Sequence, residues 1–152
     1  MIQIEKELST AKKASIKSAE LLTGKKTSIN NLISNEGRDV KLQADIESEK
    51  IIKNYLKEFS DLPILAEESG ANEHLGSSFW VVDPLDGTSN YSRDFPICCI
   101  SIALIHENKI TLGVINDFNR NIIYEGSTET PAMMNSKVIT VSDVSDKSKA
   151  TL

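Results

Sequence analysis

Residues 80–91 read WVVDPLDGTSNY, a short apolar run that ends in a turn rich in acidic residues. Asp83 and Asp86 lie three positions apart in this turn. Pro84 restricts its own φ angle, and Gly87 accepts backbone angles that other residues resist. The pattern therefore predicts a buried strand followed by a sharp turn that directs two carboxylates toward one point.

A second acidic strand end lies upstream, where residues 64–69 read ILAEES and Glu67 follows the apolar residues. Carboxylates and a backbone carbonyl, here that of Leu85, are the hard oxygen ligands that Mg²⁺ prefers. The Thr88 hydroxyl can orient a water molecule whose proton a carboxylate accepts. The N–H groups of Gly87 and Thr88, at the start of a short helix, can bind a phosphate. These residues predict magnesium-assisted phosphate chemistry.

The rest of the chain predicts an α+β fold, an antiparallel sheet flanked by helices, because helical patterns precede a run of strands. An amphipathic helix is expected over 2–23 and a polar loop over 24–38. A second helix is expected from Asp45, which would cap it. Its predicted apolar side consists of Ile46, Ile51, Ile52, Tyr55, Leu56 and Phe59. The predicted strands are 64–66, 79–82, 97–105, 110–115, 122–125 and 138–141. The third, fourth and fifth of them are expected to form an antiparallel meander.

Composition narrows the class of protein. The 152 residues carry a net charge of −5, which argues against nucleic acid or an anionic membrane as a partner, since both attract basic surfaces. No apolar run is long enough to span a bilayer, and the amphipathic N-terminus lacks the apolar core of a signal peptide. Cys98 and Cys99 are adjacent, so a disulfide between them is excluded and both are expected to be small buried residues. A cytoplasmic protein is expected.

Each acidic motif alone is also compatible with an ordinary surface turn. Their combination resembles the signature of the inositol monophosphatase family, the metal-dependent, lithium-sensitive sugar-phosphate phosphatases. ILAEES resembles the first acidic motif of that family, and DVKLQAD at 39–45 resembles its N-terminal acidic segment. PAMMNSKVITVS at 131–142 resembles a later motif.

The resemblance implies a set of site residues. Glu67, Asp83 and the Leu85 carbonyl would hold a first Mg²⁺, and Asp83 with Asp86 would hold a second. Glu67 and Thr88 would activate the attacking water.

Two further roles follow from the same resemblance. Asp45 would hydrogen-bond Thr88 and help to position a third, weaker metal ion through water. The substrate would contact the phosphate-binding amides of Gly87 and Thr88, together with Glu67, Leu85 and Asp86.

The function implied is magnesium-dependent hydrolysis of inositol monophosphate or a similar small sugar phosphate. Alternatives are a phosphatase for 3′-phosphoadenosine 5′-phosphate or fructose 1,6-bisphosphate, and a non-catalytic interaction module. Family members are nearly twice as long, so residues 1–152 are interpreted as an N-terminal metal- and phosphate-binding domain whose C-terminal half is absent. Little or no turnover is expected from this chain alone, and a homodimer is expected only by analogy.

Overall fold

The computed structural model of the protein describes residues 2–24, 32–36, 39–71, 74–146 and 148. Two long helices and a third short one accompany the strands in these ranges. The helices are α1 (Ile4–Gly24), α2 (Gln43–Phe59) and α3 (Thr88–Ser92). The strands are β1 (Leu32–Glu36), β2 (Asp39–Leu42), β3 (Ile64–Ala66), β4 (Gly70–Ala71), β5 (Phe79–Asp86), β6 (Cys99–His106), β7 (Lys109–Asp117), β8 (Ile122–Ser127), β9 (Met133–Met134) and β10 (Lys137–Val138).

Eight of these strands form one sheet in the order β10-β9-β8-β7-β6-β5-β3-β4. The predicted meander is present as the antiparallel strands β6, β7 and β8. The α+β class is confirmed, but the sheet is mixed rather than antiparallel throughout, because β3 and β5 run parallel with Leu65 opposite Val81. This pair brings the carboxyl ends of two strands side by side.

Helices α1 and α2 pack together on one face of the sheet, as the amphipathic pattern of α1 predicts. Alternate residues of the central strands point toward these helices, since side chains along a strand alternate between faces. The buried strand residues are Trp80, Val82, Ile100, Ile102, Leu104, Leu112 and Val114. They meet Leu8, Ala11, Ala14, Leu22, Ile52 and Leu56 from the helices. The core thus lies entirely on the helix side of the sheet, below the acidic turn.

Helix α2 differs from the prediction in its start and in its buried face. It begins at Gln43 with Leu42 as the N-cap residue, so Asp45 lies in the first turn, from where its carboxylate accepts the N–H of Leu42. Ile46 and Phe59, predicted to be on the apolar side, are 37% and 41% exposed. The buried face of the helix instead includes the polar residues Asp45, Ser48 and Glu49.

Two smaller differences concern loops. The predicted polar loop over 24–38 contains strand β1, which pairs with β2 in a two-stranded hairpin. Residues 25–31 and 37–38 of that loop lie outside the described residues. The predicted strand over 138–141 is wrong beyond its first residue, since β10 ends at Val138 and the chain then leaves the sheet.

Two further features concern the helices and the cysteines. None of the helices in the described ranges is long and apolar enough to cross a bilayer. Neither Cys98 nor Cys99 is in a disulfide, and Cys98 is buried whereas Cys99 is half-buried. Partial burial raises the pKa of the Cys99 thiol to about 12, with the nearby carboxylates of Asp86 and Asp83 adding to the effect. A thiol that holds its proton this firmly is a poor nucleophile.

Candidate metal and phosphate site

The two acidic motifs meet because β3 and β5 are parallel neighbours. Ala66 lies opposite Val82, and the N–H of Glu67 donates to the carbonyl oxygen of Val82 at 3.0 Å. Glu67 follows Ala66 in the chain and Asp83 follows Val82, so the pairing brings these two acidic residues side by side. Their carboxyl groups are in hydrogen-bonding contact. The fold thus joins two motifs that are sixteen positions apart in the chain.

This contact strongly affects the ionisation of both groups. Partial burial, followed by the charge of Asp83, raises the pKa of Glu67 to about 7. The pKa of Asp83 is also raised, with burial the largest cause, although the hydrogen bond from Glu67 opposes the rise. Asp86 adds repulsion to both. Both groups therefore hold their protons more strongly than they would in water, as close carboxyl groups do when no cation separates them.

The spacing of Asp83 and Asp86 has a geometric reason. Asp83 lies opposite Ser101 and Asp86 lies opposite Cys99, so three steps along β5 match two steps along β6. This is a β-bulge, which inserts one extra residue into a strand. Without the bulge, residues three apart would point to opposite faces. The bulge places Asp83 and Asp86 on the same face of the sheet, the face opposite the helices.

The turn is fixed by its glycine. Gly87 has a φ angle of +88°, and a Cβ at this position would lie 2.7 Å from the carbonyl oxygen of Ile97. The Leu85 side chain is fully buried below the turn, while its N–H donates to the Asp83 carboxylate at 3.1 Å. Sequence reasoning predicted this turn, and the close approach of Ile97 explains why only glycine fits.

Thr88, at the start of α3, is held from two sides. Its hydroxyl lies 2.9 Å from a carboxylate oxygen of Asp45 and 3.0 Å from the carbonyl oxygen of Leu85. The hydroxyl has one proton, so either acceptor can take it. The hydrogen bond between Asp45 and Thr88 that the resemblance implies is therefore present.

Asp45 itself is 1% exposed. Its second carboxylate oxygen accepts the N–H of Leu42 at 2.6 Å, a contact that closes the first turn of α2. Burial is the main reason that the pKa of Asp45 is raised to about 6, although the hydrogen bonds from Leu42 and Thr88 lower it. The side chain links the beginning of α2 to the beginning of α3.

The donor set is consistent with a hard divalent cation. The repulsion among Glu67, Asp83 and Asp86 is the kind that a cation relieves, and the adjacent Leu85 carbonyl adds a neutral oxygen. No three His, Cys, Asp or Glu side chains among the residues that the structure describes form a ready metal-binding group. In the described ranges, Glu67 and Asp83 are thus a close pair to which no third such side chain lies near enough to complete a group.

Two cavities flank the acidic residues. One of about 430 Å³ is lined by Glu67, Asp83 and the apolar residues beside them in β3 and β5. The other, of about 300 Å³, is lined by Asp86, Gly87 and Asn90 with residues of β6 and β7. The acidic turn lies between two recesses that can admit a small ligand.

Two polar residues near the site were not predicted from the sequence. Ser48 donates to the Pro84 carbonyl oxygen at 2.7 Å. Glu49 accepts the N–H groups of Glu68 and Ser69 at 2.9 and 3.3 Å. Both are on α2, three and four residues after Asp45, and that spacing was the available signal.

Comparison with known proteins now decides the family. A profile of the inositol monophosphatase family matches residues 3–152. The chain belongs to this family. Its members are phosphatases that hydrolyse phosphate monoesters and depend on metal ions.

Individual relatives agree with this assignment. An inositol-1-monophosphatase of Synechocystis is 36% identical over 124 residues, which cover 79% of this chain and 43% of the relative. The Nus factor SuhB of Xylella fastidiosa is 39% identical over 119 residues, covering 76% of this chain and 42% of that protein. The inositol monophosphatase structure from Anabaena (Nostoc) superimposes with a TM-score of 0.79 at 30% identity, covering 93% of this chain and 52% of that one. The chain thus spans about half the length of the relatives that it matches.

Proposed function

We propose that this chain carries the metal- and phosphate-binding residues of a magnesium-dependent phosphomonoesterase for inositol monophosphate or a similar small sugar phosphate. The observation that carries the proposal is the contact between the Glu67 and Asp83 carboxyl groups, beside a threonine hydroxyl anchored by Asp45. Family membership supports phosphate-ester hydrolysis. Magnesium and the sugar phosphate are our proposal.

Glu67, Asp83 and the Leu85 carbonyl would hold one Mg²⁺, and Asp83 with Asp86 would hold a second. Bound there, the metal would offset the charge of the phosphoryl group and lower the pKa of an attacking water. The bulge supports this assignment, because it brings Asp83 and Asp86 to one face of the sheet.

Thr88 and Glu67 would prepare the attacking water. When the Thr88 proton points to Asp45, the lone pairs of its hydroxyl oxygen are free to accept a hydrogen bond from that water. Glu67 would then take the second proton as a carboxylate base. Asp45 acts through Thr88 by fixing the direction of its hydroxyl, and no covalent nucleophile is needed.

The phosphate would lie against the N–H groups of Gly87 and Thr88. The positive φ angle of Gly87 lets the backbone approach a ligand without an intervening side chain. Glu67, Leu85 and Asp86 would complete the substrate contacts from the other side of the turn.

The alternative substrates, 3′-phosphoadenosine 5′-phosphate and fructose 1,6-bisphosphate, share the phosphate chemistry and differ in what surrounds it. A panel of these compounds with inositol monophosphate, assayed for Mg²⁺-dependent phosphate release, would distinguish among them. Binding of the phosphate group alone reports directly on the residues proposed to hold metal and phosphate. Binding of inorganic phosphate, followed by ³¹P NMR with and without Mg²⁺, is therefore the primary test. Phosphate binding that does not depend on Mg²⁺ would contradict the proposal.

Three expectations stay as predictions: a cytoplasmic location, a homodimer, and no nucleic-acid or membrane partner. The non-catalytic module is separated from the enzyme by the same binding test, since an inert module has no reason to couple phosphate binding to Mg²⁺. Light scattering on the purified chain would measure its oligomeric state.

A further inference from the structure

Helix α2 contacts three separate parts of the proposed site through one buried polar face. Asp45, Ser48 and Glu49 lie at positions i, i+3 and i+4, which bring side chains to the same side of a helix. All three are at least nine-tenths buried. An amphipathic helix normally buries apolar residues on this side, so a row of three polar ones calls for an explanation.

Each residue of the row bonds a different segment. Asp45 accepts the hydroxyl proton of Thr88, at the start of α3. Ser48 donates to the carbonyl oxygen of Pro84, between the two aspartates of the turn. Glu49 accepts the N–H of Glu68, directly after Glu67. Every contact falls on, or next to, a residue proposed to bind metal or water.

We propose that Ser48 and Glu49 are positioning residues, which together with Asp45 hold the three segments of the site in register on α2. The purpose of this register, to align groups that bind metal and phosphate, rests on the proposed function. The proposal goes beyond that function in assigning roles to two residues that touch neither metal nor substrate.

The direction of the hydrogen bonds at Ser48 supports this role. Ser48 has one hydroxyl proton, and the Pro84 carbonyl can only accept, so that proton is committed to Pro84. The Ser18 hydroxyl of α1, 2.6 Å from that of Ser48, must then donate to Ser48. A directed chain runs from α1 through α2 to the turn. It fixes the peptide next to the Leu85 carbonyl, the neutral oxygen of the first metal site.

Glu49 fixes the other acidic strand end. Its carboxylate accepts two consecutive backbone N–H groups, those of Glu68 and Ser69. Lys53, one turn further along α2, lies 3.5 Å from Glu49 and donates to the Ser69 hydroxyl at 2.7 Å. The turn after β3 is held at several points, so the backbone that carries Glu67 is fixed beside Asp83.

Amide hydrogen exchange by mass spectrometry tests positioning without relying on metal or activity. In metal-free protein, Glu49→Ala should speed exchange at Glu68 and Ser69 by about tenfold and leave residues 85–88 unchanged. Ser48→Ala should do the reverse. Glu47→Ala is the matched control, since Glu47 is on the same helix and bonds Gln43 rather than the site. Faster exchange throughout 43–59, or no change in either segment, would overturn the proposal.

Calorimetric titration with Mg²⁺ alone supplies the functional readout. Ser48→Ala and Glu49→Ala should each weaken Mg²⁺ binding by roughly tenfold, as loss of outer partners of a metal site does. Glu49→Gln keeps an acceptor oxygen and should restore both affinity and slow exchange. Ser48→Cys, which fills the same space with a weaker donor, should be intermediate and serves if Ser48→Ala does not fold. Unchanged Mg²⁺ affinity in all four variants would overturn the proposal.

The two tests keep the hypotheses apart. If the unmodified chain binds no Mg²⁺, the proposed function fails, whereas the exchange pattern still decides whether α2 holds the segments. If Mg²⁺ binds and the exchange pattern is absent, the proposed function stands and the positioning role is wrong.

Discussion

The Glu67 and Asp83 carboxyl groups are in hydrogen-bonding contact, across the ends of two parallel strands. Burial is the largest cause that raises the pKa of both groups, and the charge of Asp86 adds to it. A carboxyl pair of this kind responds to cations and to pH together, because a bound cation and a shared proton stabilise it in alternative ways.

The first prediction concerns the pH dependence of stability. Folding raises the pKa of Glu67 from the ordinary 4.5 to about 7, so the folded state binds more protons than the unfolded state in this interval. The contribution of Glu67 to the free energy of unfolding is therefore fully present below about pH 4.5, and it is lost as the pH rises through 7. Thermal unfolding in EDTA should show the decline, and Mg²⁺ should reverse it on the alkaline side. Glu67→Gln should flatten the profile, and an equally steep profile in this variant would contradict the assignment.

The second prediction concerns the Thr88 hydroxyl. Thr88→Val keeps the shape of the side chain and removes the donor to Asp45, which should cost about 1–3 kcal/mol in the free energy of unfolding. The weak Mg²⁺-dependent phosphate release expected of this chain should fall below detection, as for loss of a group in proton transfer. Thr88→Ser keeps the hydroxyl and should retain most of the stability and most of the phosphate release. Chemical denaturation and a phosphate assay measure the two effects, and a Thr88→Val protein with full activity would exclude the hydroxyl from the reaction.

The third prediction concerns the turn glycine. Gly87→Ala forces a Cβ against the Ile97 carbonyl oxygen at a positive φ angle, so a loss of about 2–4 kcal/mol is expected. Gly113→Ala is the matched control, because a Cβ there meets nothing within 4 Å and the backbone is extended in β7. Urea denaturation of both variants provides the comparison. Equal stability of the two would show that the turn relaxes easily.

The fourth prediction lies outside the site, at the start of α1. Glu7 is 7% exposed, and one of its carboxyl oxygens has no hydrogen-bond partner in the described part of the chain. Burial raises the pKa of Glu7, while Lys6 and Ser60 oppose the rise. Glu7→Gln removes the charged form, so it should raise the melting temperature at about pH 8 and change it little at about pH 4. A variant that is destabilised equally at both pH values would show that burial of the ionised Glu7 carboxylate does not destabilise the fold.

The sequence predicted the acidic turn well, because local chemistry determines it. Pro84 and Gly87 restrict the backbone in ways that do not depend on the rest of the chain. The apolar run before the turn was expected to be a buried strand, and Trp80 within it is fully buried. The spacing of Asp83 and Asp86 predicted that their carboxylates point the same way. The cause, a β-bulge, depends on the pairing of β5 with β6 and could not be seen in the sequence.

The direction of the strands could not be read from the sequence. Alternation of apolar and polar residues tells which face a residue is on, and it says nothing about the partner strand or its direction. The parallel pairing of β3 with β5 was missed for this reason, although it is what joins Glu67 to Asp83.

Helix α2 was misjudged for a related reason. Asp45 was expected to cap the helix, and aspartate is favoured both at the cap and within the first turn, so the sequence did not distinguish the two. Ser48 and Glu49 look like solvated positions in the sequence. They are buried because this side of α2 faces the turns of the site rather than water.

The measurement that most directly tests the account is a calorimetric titration of this chain with Mg²⁺ at about pH 8, where both carboxyls of the pair can ionise. We predict saturable binding in the millimolar range, weakened at least about tenfold by Asp83→Asn. Asp61→Asn, at an exposed residue between α2 and β3, should leave the affinity unchanged. An unmodified chain that shows no saturable binding, or an Asp83→Asn variant that binds as tightly as the unmodified chain, would contradict a shared cation at Glu67 and Asp83.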